Sequence, residues 1–202
     1  MKQPTPEALR VAESARSIAL QMLEERGRGA VLVGVARVDA ALEVLLKAAL
    51  APPSGSETLF LTDRPLGSFG ARIALAQRLG LIDDQVERAL HTLRRVRNAF
   101  AHSTTVASLG EASYQQPLGD CYRHVRESPL WEPLERILDE QLHYIPSAGD
   151  STATDRFLRD YILLITILVA FLEATAQQLM PIQPPVVMGF SGITRSSSTA
   201  AG

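Results

Sequence analysis

The stretch Ala30–Leu50, AVLVGVARVDAALEVLLKAAL, decides the fold of this 202-residue chain. Its acid and lysine positions Asp39, Glu43 and Lys47 recur every four residues, which places them on one face of a helix, and nearly all the remaining circumference is apolar. A helix wetted on one stripe needs neighbours on its other sides, so the stretch predicts a central helix of a bundle. Arg37, Asp39, Glu43 and Lys47 interrupt it as a membrane span. A second apolar stretch, Tyr161–Leu172, holds only twelve uncharged residues where a span needs about twenty, and it too predicts a buried helix.

Outward from these two segments the period stays helical and no convincing alternating strand occurs, so the expected fold is all-α, a single helical-bundle domain of about six helices over residues 1–180. The first helix starts at Thr5-Pro6-Glu7, carries Leu9, Ala12, Ala15, Ala19, Met22 and Leu23 as its apolar stripe, and ends at Gly27 and Gly29. After the turn-rich linker APPSGSETLFLTD, a third helix runs from about Pro65, with Leu66, Phe69, Ile73, Ala76 and Leu79 inward and Gly80 as its C-terminal cap. Asp83 caps the fourth, whose apolar face is Val86, Ala89, Leu90, Leu93, Val96 and Phe100. Ser103–Ser128 reads as a long polar connection with a short helix near Leu118–Arg126. Ser128-Pro129 opens a fifth helix through Trp131, Leu134, Leu138 and Leu142, PSAGDSTAT breaks it, and a sixth covers about Asp155–Met180. Residues 181–202, rich in proline and small polar residues, predict a flexible tail.

Composition narrows the functional classes. Twenty cations against twenty-two acids give a net charge of −2, so bulk charge draws the chain to neither nucleic acid nor membrane and any phosphate binding must be local. A single cysteine, Cys121, and a start without an apolar signal core predict a cytoplasmic protein. Cys121 and His124 have no second pair of ligands nearby in sequence, and no glycine-rich phosphate loop follows a strand, so neither a metal nor a cofactor is expected. A wide apolar face on the fourth helix argues against a DNA-recognition helix.

The local charge is at the end of that helix, Arg94-Arg95-Val96-Arg97-Asn98-Ala99-Phe100-Ala101-His102, with three arginines and no acid. Arg97, four residues after Leu93, falls at the edge of the apolar face, where an unpaired charge is costly; pairing with Asp39 or Glu43 is one way to satisfy it. His91, Arg95, Asn98 and His102 form a polar stripe that suits either a binding face or a solvated one. Arg94, Arg95 and His91 are therefore candidate nucleic-acid contacts.

Arg97-Asn98 followed by His102 at the end of a helix, in an all-helical domain, resembles the HEPN superfamily (higher eukaryote and prokaryote nucleotide-binding), whose active members are metal-independent endoribonucleases working as dimers. VLVGVARVDAALEVLLKAAL (31–50), RPLGSFGARIALAQRLGLI (64–82) and LHTLRRVRNAFAH (90–102) also resemble the mannitol operon repressor family, over about Arg28–Ser103, most specifically at PLGSF and RLGLI. The first resemblance implies an RNA substrate and three catalytic residues. Arg97 would stabilise charge on the phosphoryl oxygens, His102 would exchange protons with the 2′-hydroxyl or the leaving oxygen, and Asn98 would hold the ring or the phosphate. The second implies a non-enzymatic regulator acting through protein contacts. Toxin-like HEPN modules imply an antitoxin or regulatory protein as a further partner.

Five residues separate Arg97 from His102, about 140° around an ideal helix, so on an unbroken helix they point apart. They converge only if the helix ends there or if a homodimer brings Arg97 of one subunit to His102 of the other, the arrangement expected here.

Overall fold

The computed structural model describes residues 6–25, 27–103, 107–142, 152–184, 186–190 and 192–195. Thr5 and residues 146–151 of the predicted break lie outside these residues, as do the side chains of Leu9 and Leu142, and the last three residues of that break, 152–154, belong to the final helix. Seven helices are described: α1 (Pro6–Glu25), α2 (Gly27–Ala49), α3 (Phe69–Arg78), α4 (Asp84–His102), α5 (Ala112–Val125), α6 (Trp131–Leu142) and α7 (Thr152–Gln178). An antiparallel hairpin follows, β1 (Val186–Gly189) and β2 (Gly192–Arg195), with Val186 opposite Arg195 and Met188 opposite Ile193. The fold is all-α, as the periodicity predicts.

The two apolar segments are the pillars of the bundle. α2 and α7 pack along each other, and residues 161–170 of α7 are buried without interruption. The close approach depends on Gly34. A Cβ there would sit 2.7 Å from Met22 Cε of α1, 3.2 Å from Ile165 Cγ1 and 3.3 Å from Tyr161 Cε1 of α7, so a larger residue would have to displace the Met22 methyl and crowd α7. Beside it the buried Tyr161 hydroxyl donates to the Val31 carbonyl at 3.1 Å, which satisfies the one polar atom of the largest fully buried side chain. One contiguous core takes side chains from all seven helices.

Four sequence-based expectations need correction. α2 begins at Gly27, so Gly29 lies inside a helix and not between two. α3 begins at Phe69 and not Pro65: the Ser68 hydroxyl accepts from the Ala71 N–H at 3.2 Å, while the preceding residues are held as a loop. That loop is pinned by Arg72, a buried guanidinium that donates to the carbonyls of Leu66 (2.8 Å) and Phe60 (3.2 Å) and pairs with Asp39 (2.7 Å) and Glu43 (2.9 Å) of α2. Gly67 completes the lock, since a Cβ at this position would run into the carbonyl oxygens of Leu61 and Thr62. The PLGSF segment is thus an architectural device.

The third correction is α5, a 14-residue helix within the predicted polar connection. Pro117 inside it removes a donor and hides the period. Tertiary packing overrides this: Leu118, Cys121 and Tyr122 are buried, and the Tyr114 ring meets Phe100 of α4 at 5.1 Å. The fourth is the tail, where Val186, Met188 and Ile193 share one exposed face of the hairpin and Phe190 at its turn is fully exposed.

Candidate functional site

α4 positions every residue singled out by sequence. The Asp83 carboxylate accepts from the Gln85 and Val86 N–H groups at 2.9 and 2.8 Å, and Leu90, Leu93, Val96 and Phe100 face the core as predicted. With that face fixed, Arg94, Arg95, Arg97, Asn98 and His102 are exposed and His91 is partly so.

Arg97 therefore does not sit at the edge of the buried face, and it pairs with neither Asp39 nor Glu43, which are taken by Arg72. Its Nη1 donates to Asn98 Oδ1 at 3.1 Å. Arg95 donates to the Thr92 hydroxyl at 3.1 Å, and His91 lies 3.8 Å from the Glu87 carboxylate. Arg94 lies over Gly70 in the first turn of α3. His102 closes α4, where Arg28 of α2 donates to the carbonyls of Ala101 (2.7 Å) and Ser103 (3.2 Å).

Two of the clefts beside α4 hold residues singled out by sequence. The smaller, about 380 Å³, lies between α2, the start of α3 and α4, and brings together Asp39, Ser68, Arg94, Arg97 and Asn98. Desolvation pushes the Asp39 carboxyl above its ordinary range, with Arg72 and, more weakly, Arg97 opposing. The larger, about 800 Å³, lies between α4 and α5 and includes His91, Arg94 and Arg95 together with Arg88, Arg123 and His124. His102 lines neither cleft. The structure thus joins Arg97 to Asn98 in one cleft and His91 to Arg95 in the other, with Arg94 common to both.

Arg88 and Arg123 are functional candidates that the sequence pattern alone does not single out. Arg88 stands three residues before His91 and seven before Arg95, on the same stripe, a signal present in the sequence; Arg123 belongs to α5, whose full length the sequence hides. Among the described residues no group of three or more His, Cys, Asp or Glu could hold a metal ion, and no helix is long and apolar enough to cross a membrane. Comparison with protein-family models, with curated proteins and with solved structures finds no match to this chain.

Proposed function

We propose that this chain is a HEPN-like RNA-binding protein and a metal-independent endoribonuclease of toxin or defence type, acting in the cytoplasm as a homodimer with composite sites. The observation that carries the reading is the exposure of Arg94, Arg95, Arg97, Asn98 and His102 along one helix with a cleft on either side of it. A structural arginine would be consumed by acids, as Arg72 is; among the described residues Arg97 bonds to the neighbouring amide and to no carboxylate.

In the reaction, a 2′-hydroxyl of RNA attacks the adjacent phosphorus and the bond to the 5′-oxygen breaks, giving a 2′,3′-cyclic phosphate and a free 5′-hydroxyl. The 2′-proton passes to a base and an acid protonates the leaving oxygen; His102 serves this exchange while Arg97 neutralises the phosphoryl oxygens and Asn98 orients them. α4 is continuous through His102, so Arg97 and His102 diverge within one chain and a second subunit supplies the missing half.

The test is cleavage of single-stranded RNA, but not the matching DNA, in the presence of chelator. Arg97→Ala and His102→Ala are each expected to lose at least about 100-fold, and mixing the two variants to restore activity through heterodimers carrying one intact site. An active protein whose two variants fail to complement rules out the composite site. An inactive, strictly monomeric protein favours the second reading, a regulator acting through protein contacts, which the separation of His102 from the Arg97 cleft supports.

A further inference from the structure

Resting on the RNA reading and extending it, we propose that the cleft between α4 and α5 is the track for the single-stranded RNA flanking the reacting phosphate. Its binding residues include Arg88 of α4 and Arg123 and His124 of α5.

The cleft has the charge for this. Four arginines, Arg88, Arg94, Arg95 and Arg123, line it against two carboxylates, Glu87 and Asp120, in a chain whose net charge is −2. Glu87 faces His91 and Asp120 faces Arg123 at 2.7 Å, whereas among the described residues Arg88 and Arg94 have no carboxylate partner. The lining holds no lysine; its fixed positive charges are arginines, whose planar fork takes two phosphate oxygens at once.

The shape selects the strand form. A concave cleft of about 800 Å³ between two helices is near the upper end of the range for small-ligand sites and admits an unpaired strand, whereas duplex RNA is read across successive grooves by a broad surface. The lining between the charges is neutral, Ala89, Thr92, Pro117 and Cys121, and among the described residues it holds no Phe, Tyr or Trp. Stacking is left to the His91 and His124 rings and the arginine planes, so recognition rests mainly on phosphates, with weak sequence preference and strong salt dependence.

Arg94 gives the track a direction. It borders both clefts, so a strand held by Arg88 and Arg123 crosses α4 at Arg94 and meets Arg97 and Asn98 on the far side.

Anisotropy of a fluorescent single-stranded RNA 12-mer, titrated in chelator with the full chain, tests this. Arg88→Gln with Arg123→Gln is expected to weaken binding at least about tenfold and to flatten the salt dependence by about 1.4 in log K per log salt, about 0.7 for each phosphate no longer neutralised. Arg136→Gln, an exposed change on α6, is the control and should bind as wild type; unchanged circular dichroism and thermal midpoint establish that the double variant is folded. RNA binding unaltered by the double variant overturns the track and leaves the RNA reading standing. Track-dependent binding without cleavage supports the track and removes the ribonuclease. No RNA binding by wild type, or displacement of RNA only by an acidic peptide that binds tighter, overturns both.

Discussion

Arg28, in the first turn of α2, donates from Nη2 to the carbonyl oxygen of Ala101 at 2.7 Å, across 73 residues of sequence. With its second bond to Ser103 it satisfies two terminal carbonyls of α4 and places a cation at the negative end of that helix dipole. Arg28→Ala is expected to destabilise by about 1 kcal/mol, a modest figure because the contact is exposed, and to shift the His102 ring resonances in NMR. A variant with unchanged His102 signals shows that the α4 end holds itself.

Arg72 and Asp39 are expected to respond unequally. Arg72→Ala strands Asp39, leaves Glu43 with Lys47 alone and frees the Phe60 and Leu66 carbonyls, which should remove about 3 kcal/mol of stability in urea denaturation. Asp39→Asn leaves Arg72 with Glu43 and both carbonyls, and should stay within about 1 kcal/mol of wild type. Desolvation holds the Asp39 carboxyl above its ordinary range, so ionising it disfavours the folded state. That contribution to stability falls as pH rises through the acid range, and the asparagine variant should lack this part of the pH slope.

Alkaline unfolding should be steep. Burial pushes the phenols of Tyr122 and Tyr161 well above their ordinary value, with Asp160 adding to the shift at Tyr122. The unfolded chain releases these protons near pH 10 while the folded chain retains them, so stability is lost upward from that point. The slope is about 2.7 kcal/mol per pH unit from the two groups together. Ultraviolet titration should show both rings ionising only on unfolding.

The Tyr122 hydroxyl and the Thr166 hydroxyl are buried without a hydrogen-bond partner among the described residues. Tyr122→Phe and Thr166→Val each delete an unsatisfied polar group and keep the shape, and each should raise stability by up to about 1 kcal/mol in thermal denaturation. A loss of similar size in Tyr122→Phe points to a water bound at the hydroxyl.

Burial also pushes the Cys121 thiol up, so it should react with a disulfide reagent at pH 8 far more slowly than free cysteine and reach the free rate only in denaturant. Because Cys121 lies on the floor of the α4–α5 cleft, bound RNA should slow it further.

The helices legible in the sequence are those whose period comes from their own side chains. Leu90, Leu93, Val96 and Phe100 mark α4, and Asp39, Glu43 and Lys47 mark the wet stripe of α2. Of α5 only the part near Leu118–Arg126 is legible; its first two turns are hidden because Pro117 and Gly119 speak against a helix locally, while the Tyr114–Phe100 contact that favours it depends on a partner in another helix. The candidate site divides the same way. Exposure of Arg94, Arg95 and Asn98 follows from the α4 face, but the acids of α2 give no sign of which arginine claims them. Arg72, hidden among the apolar residues of α3, reaches them through a loop geometry that no local pattern encodes.

The central position of α7 bears on how the chain is made. Synthesis delivers α1 to α6 before the helix that carries the uninterrupted run 161–170, so the faces of α1 and α2 that pack on α7 emerge before their partner. Until Tyr161 reaches Val31, those apolar faces stay exposed, and a chain stalled at that point is the aggregation-prone form.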